Sequence, residues 1–312
     1  EICACLVGSE MCIRDRSWTK NTTSNIGFDL TMFNNRLKIT ADAFRKDITG
    51  VPAARYDVLL PSEVGYSLPN ENLNKQAYIG AEGMVTWTDH IGDLNYTVSG
   101  NFTFSRYKSI ETYKPRFNNS WDEYRNSAEG RWGGIYWGYQ VIGQFQSEEE
   151  IRNYPVNLDG NNNRTLLPGD FIYKDVNGDG RITEDDQVPL AYSNYPLLMY
   201  GFGGEFRYKS FTLACLFKGT GNTTYFKVGN GYEMGYVPFH GEKTGNVPVE
   251  AGVQANRWTP AWYSGDPSTE NPNAAFPRLS YGKNENNTKK STFWKDNARY
   301  LRLQEISLTY NP

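Results

Sequence analysis

The sequence predicts an all-β fold: a partial antiparallel up-and-down transmembrane β-barrel, an open arc with long extracellular loops. Three observations predict it. Apolar and polar residues alternate with period two over several long runs. The connections between those runs alternate strictly between very short and very long. No stretch approaches about 18 consecutive apolar residues, which excludes a membrane-crossing helix. It does not exclude a membrane-crossing strand, which needs apolar residues only at every second position.

Taken in order, NIGFDLTMF places Ile26, Phe28, Leu30 and Met32 on one side. RLKITADA continues with Leu37, Ile39, Ala41 and Ala43, and YIGAEGMVTWT aligns Ile79, Ala81, Gly83, Val85 and Trp87. LNYTVSGNFTFS is the clearest run. Leu94, Tyr96, Val98, Gly100, Phe102 and Phe104 face one way, and Asn95, Thr97, Ser99, Asn101, Thr103 and Ser105 face the other. YGFGGEFRY and FTLACLF add two strands, and YLRLQEISLTY is the last. Its phase slips between Leu303 and Ile306, the mark of a bulge near Gln304.

The short connections are Asn34-Asn35, His90 to Asp93, and Lys209-Ser210. The long ones cover roughly residues 49–73, 113–194 and 218–296. A soluble sandwich has no reason for this alternation. An outer-membrane barrel does, with tight periplasmic turns and large outer loops. The polar strand faces then line a lumen and the apolar faces meet outer-membrane lipid. A single-chain bacterial barrel has an even number of strands, so an odd set reads as an arc.

Composition agrees. The chain has 22 Tyr, 16 Phe, 8 Trp and 30 Gly, a mixture that favours strands and turns. A net charge of -3 leaves no basic footprint for nucleic acid. Cys3, Cys5 and Cys12 crowd the opening CACLVGSEMCIRDRS, and Cys215 stands alone. That opening lacks the basic leader, apolar core and cleavage site of a signal peptide. It reads as translated adapter sequence, so residues 1–16 are expected to be non-native and residues 17–312 to form the partial barrel.

DVNGDGRITEDD carries the ligand rhythm of an EF-hand calcium loop, with Pro and Gly where the flanking helices should stand. Asp175, Asn177 and Asp179 take positions 1, 3 and 5, with Gly180 at the sharp turn. Arg181 offers its carbonyl at 7, Thr183 takes 9, and Asp186 takes 12. Calcium seeks six to eight oxygens, and this spacing wraps them round one point. Asp at position 12 has a shorter arm than the usual Glu. The competing reading is an Asx-rich turn.

RWGGIYWGYQ offers Trp132, Tyr136, Trp137 and Tyr139 as candidate substrate or partner contacts, against the alternative of loop packing. Trp258 and Trp262 read as structural. Catalysis has little support. His90 and His240 are the only histidines, without triad or zinc spacing. The carboxylates Asp185-Asp186 and Glu148-Glu149-Glu150 read as a solvated acidic face.

PGDFIYKDVNGDGRITEDDQ, followed by YPLLMYGFGGEFRYKSFTLACLFKGTGN, resembles the C-terminal barrel half of SusC/RagA-type TonB-dependent outer-membrane transporters. TTSNIGFDLTMFNNRLKITADAFRK, GQFQSEEEI, RWTP, NPNAAFPRL and TFWKDNARYLRLQEISLTY match in the same order, over about residues 17–312. The resemblance implies active import of large nutrients, oligosaccharides or peptides, across the outer membrane of a Gram-negative bacterium. It implies a SusD-like surface lipoprotein as cap, and energy from a TonB complex through a plug part outside this chain. It implies no enzyme. The rival from another class is a secreted calcium-binding β-domain, such as a carbohydrate-binding module.

Overall fold

A computed structural model describes residues 18–55, 70–113, 117–226, 256–259, 271–278 and 284–312, with the single positions 61, 63, 65 and 280. Residues 1–16, with Cys3, Cys5 and Cys12, lie outside the described residues, as do His240 and Trp262. The chain divides into two compact units.

The first unit is a seven-stranded sheet. Its strands are β1 (Lys20–Met32), β2 (Leu37–Ala53), β3 (Glu71–Ile91) and β4 (Leu94–Glu111). Four short strands of the second unit intervene: β5 (Tyr136–Gly138), β6 (Val141–Gln144), β7 (Phe171–Tyr173) and β8 (Val188–Ala191). The sheet resumes with β9 (Leu198–Tyr208) and β10 (Phe211–Gly221). After β11 (Thr224–Phe226) and β12 (Lys295–Asn297) of the second unit, it ends with β13 (Tyr300–Tyr310). The order is β1-β2-β3-β4-β9-β10-β13, every pairing antiparallel. This is the up-and-down meander the alternation predicts.

The register carries the two faces across the whole sheet. Leu30 pairs with Ile39, then Val85, Gly100, Phe202, Phe217 and Leu303 in turn. One residue on, Asp29 leads to Thr40, Met84, Asn101, Gly201, Lys218 and Arg302. A slip of one residue would exchange the faces, so the pattern itself fixes the register. The apolar face is uncovered: Ile26 is 78% exposed, Ile306 64% and Leu308 69%. Between β10 and β13 the pairing jumps from Leu216–Glu305 to Phe217–Leu303, which leaves Gln304 as the bulged residue.

The short turns are tight. Ile91 pairs with Leu94 across Gly92-Asp93, and Tyr208 with Phe211 across Lys209-Ser210. Phe33, Asn34 and Asn35 all take left-handed φ between β1 and β2. Asn tolerates that region because its side chain bonds locally. The first long connection, 54–70, is narrower than the sequence suggests; the others run over 112–197 and 222–299, close to expectation. Strands β2, β3 and β4 continue through KDITGVPA, ENLNKQ and RYKSIE, where alternation fades.

Two short helices were not expected. Helix α1 (Ser120–Asn126) starts where Asn119 accepts the Asp122 N–H. Helix α2 (Glu148–Asn153) starts where the Ser147 hydroxyl accepts the Glu150 N–H. Glu148, Glu149 and Glu150 form its first turn, where the helix dipole favours negative charge. The acidic run is thus a helix start.

The second unit covers 135–195 and 223–298, drawn from the connections between β4 and β9 and between β10 and β13. Its core gathers Phe145, Leu158, Phe171, Tyr173 and Trp294, each less than 2% exposed. Phe293 bridges Phe171 and Trp294 with ring centroids 4.6 and 4.7 Å away. Strands β6 and β7 pair, as do β5 with β8 and β11 with β12.

Candidate functional site

The second unit is organised round PGDFIY. Gly169 sits at φ +91°, and a Cβ there would meet the Trp258 ring at 2.6 Å, so the position requires glycine. The turn aims the fully buried Asp170 inward. Its carboxylate accepts from the Leu167 N–H at 2.9 Å, Arg278 Nη2 at 3.0 Å, Asn284 Nδ2 at 3.0 Å and Asn287 Nδ2 at 2.8 Å. The Arg278 Nε lies 2.7 Å from its second oxygen. A buried carboxylate is tolerated when such donors replace its water.

Backbone bonds extend the clasp. Asn287 Oδ1 accepts the Phe171 N–H, Asn286 Nδ2 donates to the Phe171 carbonyl, and the Tyr173 hydroxyl donates to the Asn286 carbonyl. Trp294 Nε1 donates to the Asn287 carbonyl at 2.7 Å. Residues 170–173 are thereby stitched to 284–294. Burial, then the nearby Asp170 and Tyr139, push the Tyr173 phenol well above its ordinary range, against the Ser291 hydrogen bond.

The Asx-rich loop hangs beside this clasp. Asp175 accepts the N–H groups of Gly178 and Gly180 at 2.7 and 2.8 Å. Asn177 Oδ1 accepts the Asp179 N–H, and Asp179 Oδ1 the Arg181 N–H. Gly180 makes the turn at φ +77°. Asp186 is fully buried, with its oxygens on the N–H groups of Val176 and Thr183, each at 2.8 Å. Thr183 caps a 3₁₀ turn, Glu184–Asp186, and completes a capping box with Asp186. In place of helices, Asn157 holds the loop. Its N–H donates to the Gly180 carbonyl, and its carbonyl accepts the Ile182 N–H.

The donor set fits a hard, oxygen-seeking cation in kind. Its arrangement is closed on the loop's own N–H groups. Among the described residues no group of three or more His, Cys, Asp or Glu stands where it could hold a metal ion.

The four aromatic candidates do not form one cluster. Trp132 belongs to the sheet unit, bridged to Lys108, with the Arg106 guanidinium 5.3 Å from its ring. Tyr136 lies under the Lys290 ammonium at 4.0 Å and donates its hydroxyl to Asn194. Trp137 is half-buried in β5. Tyr139 packs on the core beside Tyr173, ring to ring at 5.6 Å. Trp258 is buried, as its structural reading requires.

An open cleft of about 700 Å³ lies between residues 158–166 on one side and Arg278, Asn284 and Lys289 on the other. Asp159 on its wall is titrated in two directions. Burial raises its pKa, and the stronger sum of bonds from Thr165, Asn161 and Asn163 lowers it. Lys289 opposite is lowered by burial, against Asp159, Asp186 and Glu285. The sequence held no signal for this cleft or the clasp.

No protein-family model matches the chain. TonB-dependent receptor P26 of Formosa agariphila is 25% identical, over 95% of this chain and 28% of that protein. Receptor P39 of the same organism is 22% identical, over 95% and 30%. Among solved structures, the RagAB peptide transporter matches with a TM-score of 0.63 at 18% identity, over 95% of this chain and 29% of that one. The RagAB peptide importer in its open-open state matches equally, at 0.63. Over nearly its whole length the chain is similar to TonB-dependent receptors. The chain spans less than a third of these relatives' length. Its seven-stranded sheet is the partial barrel, and its second unit is drawn from two of the barrel's long connections.

Proposed function

We propose that this chain is the barrel part of an outer-membrane active importer of large nutrients, oligosaccharides or peptides, in a Gram-negative bacterium. The sheet carries the reading. An apolar face runs across all seven strands uncovered, and its reverse is polar. That arrangement is costly in water and favourable in a bilayer. The likeness to RagAB supports a peptide cargo and a two-protein assembly. The SusC/RagA resemblance supports oligosaccharides equally, together with a SusD-like surface lipoprotein and TonB-derived energy. The named relatives are receptors and transporters, so no catalytic step is proposed.

Calcium is part of this proposal. Asp175, Asn177, Asp179, the Arg181 carbonyl and Thr183 would hold it, and its binding would draw the loop's oxygens together. Asp186 would join only through lone pairs left over from its two N–H bonds.

The test is a clean deletion of the full-length gene. Growth on the cognate glycan or peptide as sole nutrient should be lost and restored by the intact gene. Recovery of the protein in the soluble secreted fraction, with uptake unchanged, would instead favour a secreted calcium-binding domain.

A further inference from the structure

The polar face of the sheet is not polar throughout. The steps from Leu94 to Phe104 along β4, tilted about 45° as barrel strands are, rise about 23 Å, close to the ~25 Å apolar band of such barrels. Just beyond that height the face that lines the lumen turns aromatic. One cross-strand row there runs Asn25, Phe44, Gly80 and Ser105, and the next runs Thr23, Lys46, Tyr78 and Tyr107.

Two of the rings are seated on glycine. A Cβ on Gly80 would meet the Phe44 ring at 2.5 Å, and one on Gly133 would meet the Tyr107 ring at 2.1 Å. Gly133 is held beside β4 because its N–H donates to the Tyr107 carbonyl at 2.8 Å. Such seating fixes a ring against the backbone. Tyr78 stands on the strand between them and is 39% exposed. Its ring centroid lies 5.6 Å from that of Tyr107, with the planes at 56°. Among the described residues neither the Tyr78 nor the Tyr107 hydroxyl has a hydrogen-bond partner.

Lys46 is the only charge in the two rows, and Thr23, Asn25 and Ser105 offer both donors and acceptors. One row lower, Asp42 pairs with Glu82 and adds acceptors. Fixed rings with free hydroxyls, set among mostly neutral hydrogen-bonding groups, match a molecule with apolar C–H faces and hydroxyl edges. A sugar ring is such a molecule. Its C–H bonds carry partial positive charge and meet the negative face of an aromatic ring. A peptide brings charged ends and side chains, for which the two rows hold a single cation.

We propose that Phe44, Tyr78 and Tyr107 form a stacking subsite for a pyranose unit of an oligosaccharide cargo, at the outer end of the lumen. This rests on the import reading above and narrows its cargo to glycans.

The test uses the full-length transporter in a detergent without a sugar headgroup. An array of neutral oligosaccharides is the probe, and calorimetry then compares wild type, Tyr78→Ala and Tyr78→Phe on the strongest binder. A heat-modifiable gel shift confirms that all are folded. Tyr78→Ala should weaken binding about tenfold, as loss of stacking on an aromatic face does, while Tyr78→Phe keeps the ring and should stay within about twofold of wild type. Equal affinity for wild type and Tyr78→Ala overturns the proposal, as does a wild type that binds no sugar of the array. A loss in Tyr78→Phe as large as in Tyr78→Ala overturns stacking as its basis. Binding of a casein peptide digest that Tyr78→Ala abolishes, with the sugars ignored, overturns it in favour of a peptide platform. A wild-type protein that fails to insert into vesicles overturns the membrane reading itself.

Discussion

Arg278 Nε lies 2.7 Å from a carboxylate oxygen of Asp170, and the Asp170 side chain is 1% exposed. The two residues are 108 positions apart and join two separate connections of the barrel. Removing one charge of a buried pair costs more than the pair contributes, because the survivor is stranded. Asp170→Asn should therefore destabilise the second unit by about 3–5 kcal/mol. Limited proteolysis of the full-length protein should show new cleavage within 135–195, with the barrel's heat-modifiable band unchanged.

Gly169→Ala should act on the same clasp through the backbone. The substitution keeps every charge and adds one methyl, which the Trp258 ring blocks at a left-handed φ. A loss of about 1–3 kcal/mol is expected. It should appear as faster amide exchange at residues 170–173.

Phe202 lies on the apolar ladder near the middle of its span, and Thr103 lies on the opposite face. Phe202→Arg should cost about 2–4 kcal/mol in folding into vesicles, as a charge on the lipid side does. Thr103→Arg should cost much less. Urea titration of vesicle-refolded protein compares the two, and equal losses would contradict the assignment of faces.

For the Asx-rich loop, Asp179→Ala removes a charged oxygen near the centre of the motif. Calcium uptake by calorimetry should weaken, and protease sensitivity across 165–195 should rise. Equal uptake by the wild type and the variant would make the motif an Asx-rich turn alone.

Asp159 sets an acid response. Its folded pKa is depressed, so the unfolded chain binds the proton more readily and stability rises with pH. The contribution is complete above the ordinary aspartate value, about 3.9, and is lost as pH falls through the lower folded value. Amide exchange at residues 157–165 should therefore quicken below about pH 4, and Asp159→Asn should flatten that response.

The strands were legible because one face is apolar and the other polar, so period two survives along their length. The bulge at Gln304 showed as a break of phase between Leu303 and Ile306. The far ends of β2, β3 and β4 were not legible, because residues such as Lys46, Gln76 and Ser109 do not alternate. The clasp was invisible for another reason. NENNTK looks like any polar turn until Asp170, more than a hundred residues away, supplies the anion that its Asn amides surround. Helix α2 did carry a signal: Ser147 stands three residues before Glu150, the spacing of a helix start, within an acidic run that fits a solvated face equally well. RWGGIYWGYQ was misleading as a block, because the boundary between the two units falls inside it, after Gly134.

The wide separation within the clasp also imposes a chronology. A chain made from its N-terminus exposes Asp170 long before Asn287, 117 residues later, exists to receive it. Until then the carboxylate stays hydrated, and Phe171 and Tyr173 have no Trp294 to pack against. Hairpins such as β3–β4 and β9–β10 close over two residues and have no such wait. Local pairs form early and distant ones late. The second unit therefore matures later than those hairpins, and until residue 294 arrives its aromatic segment is open to mispairing.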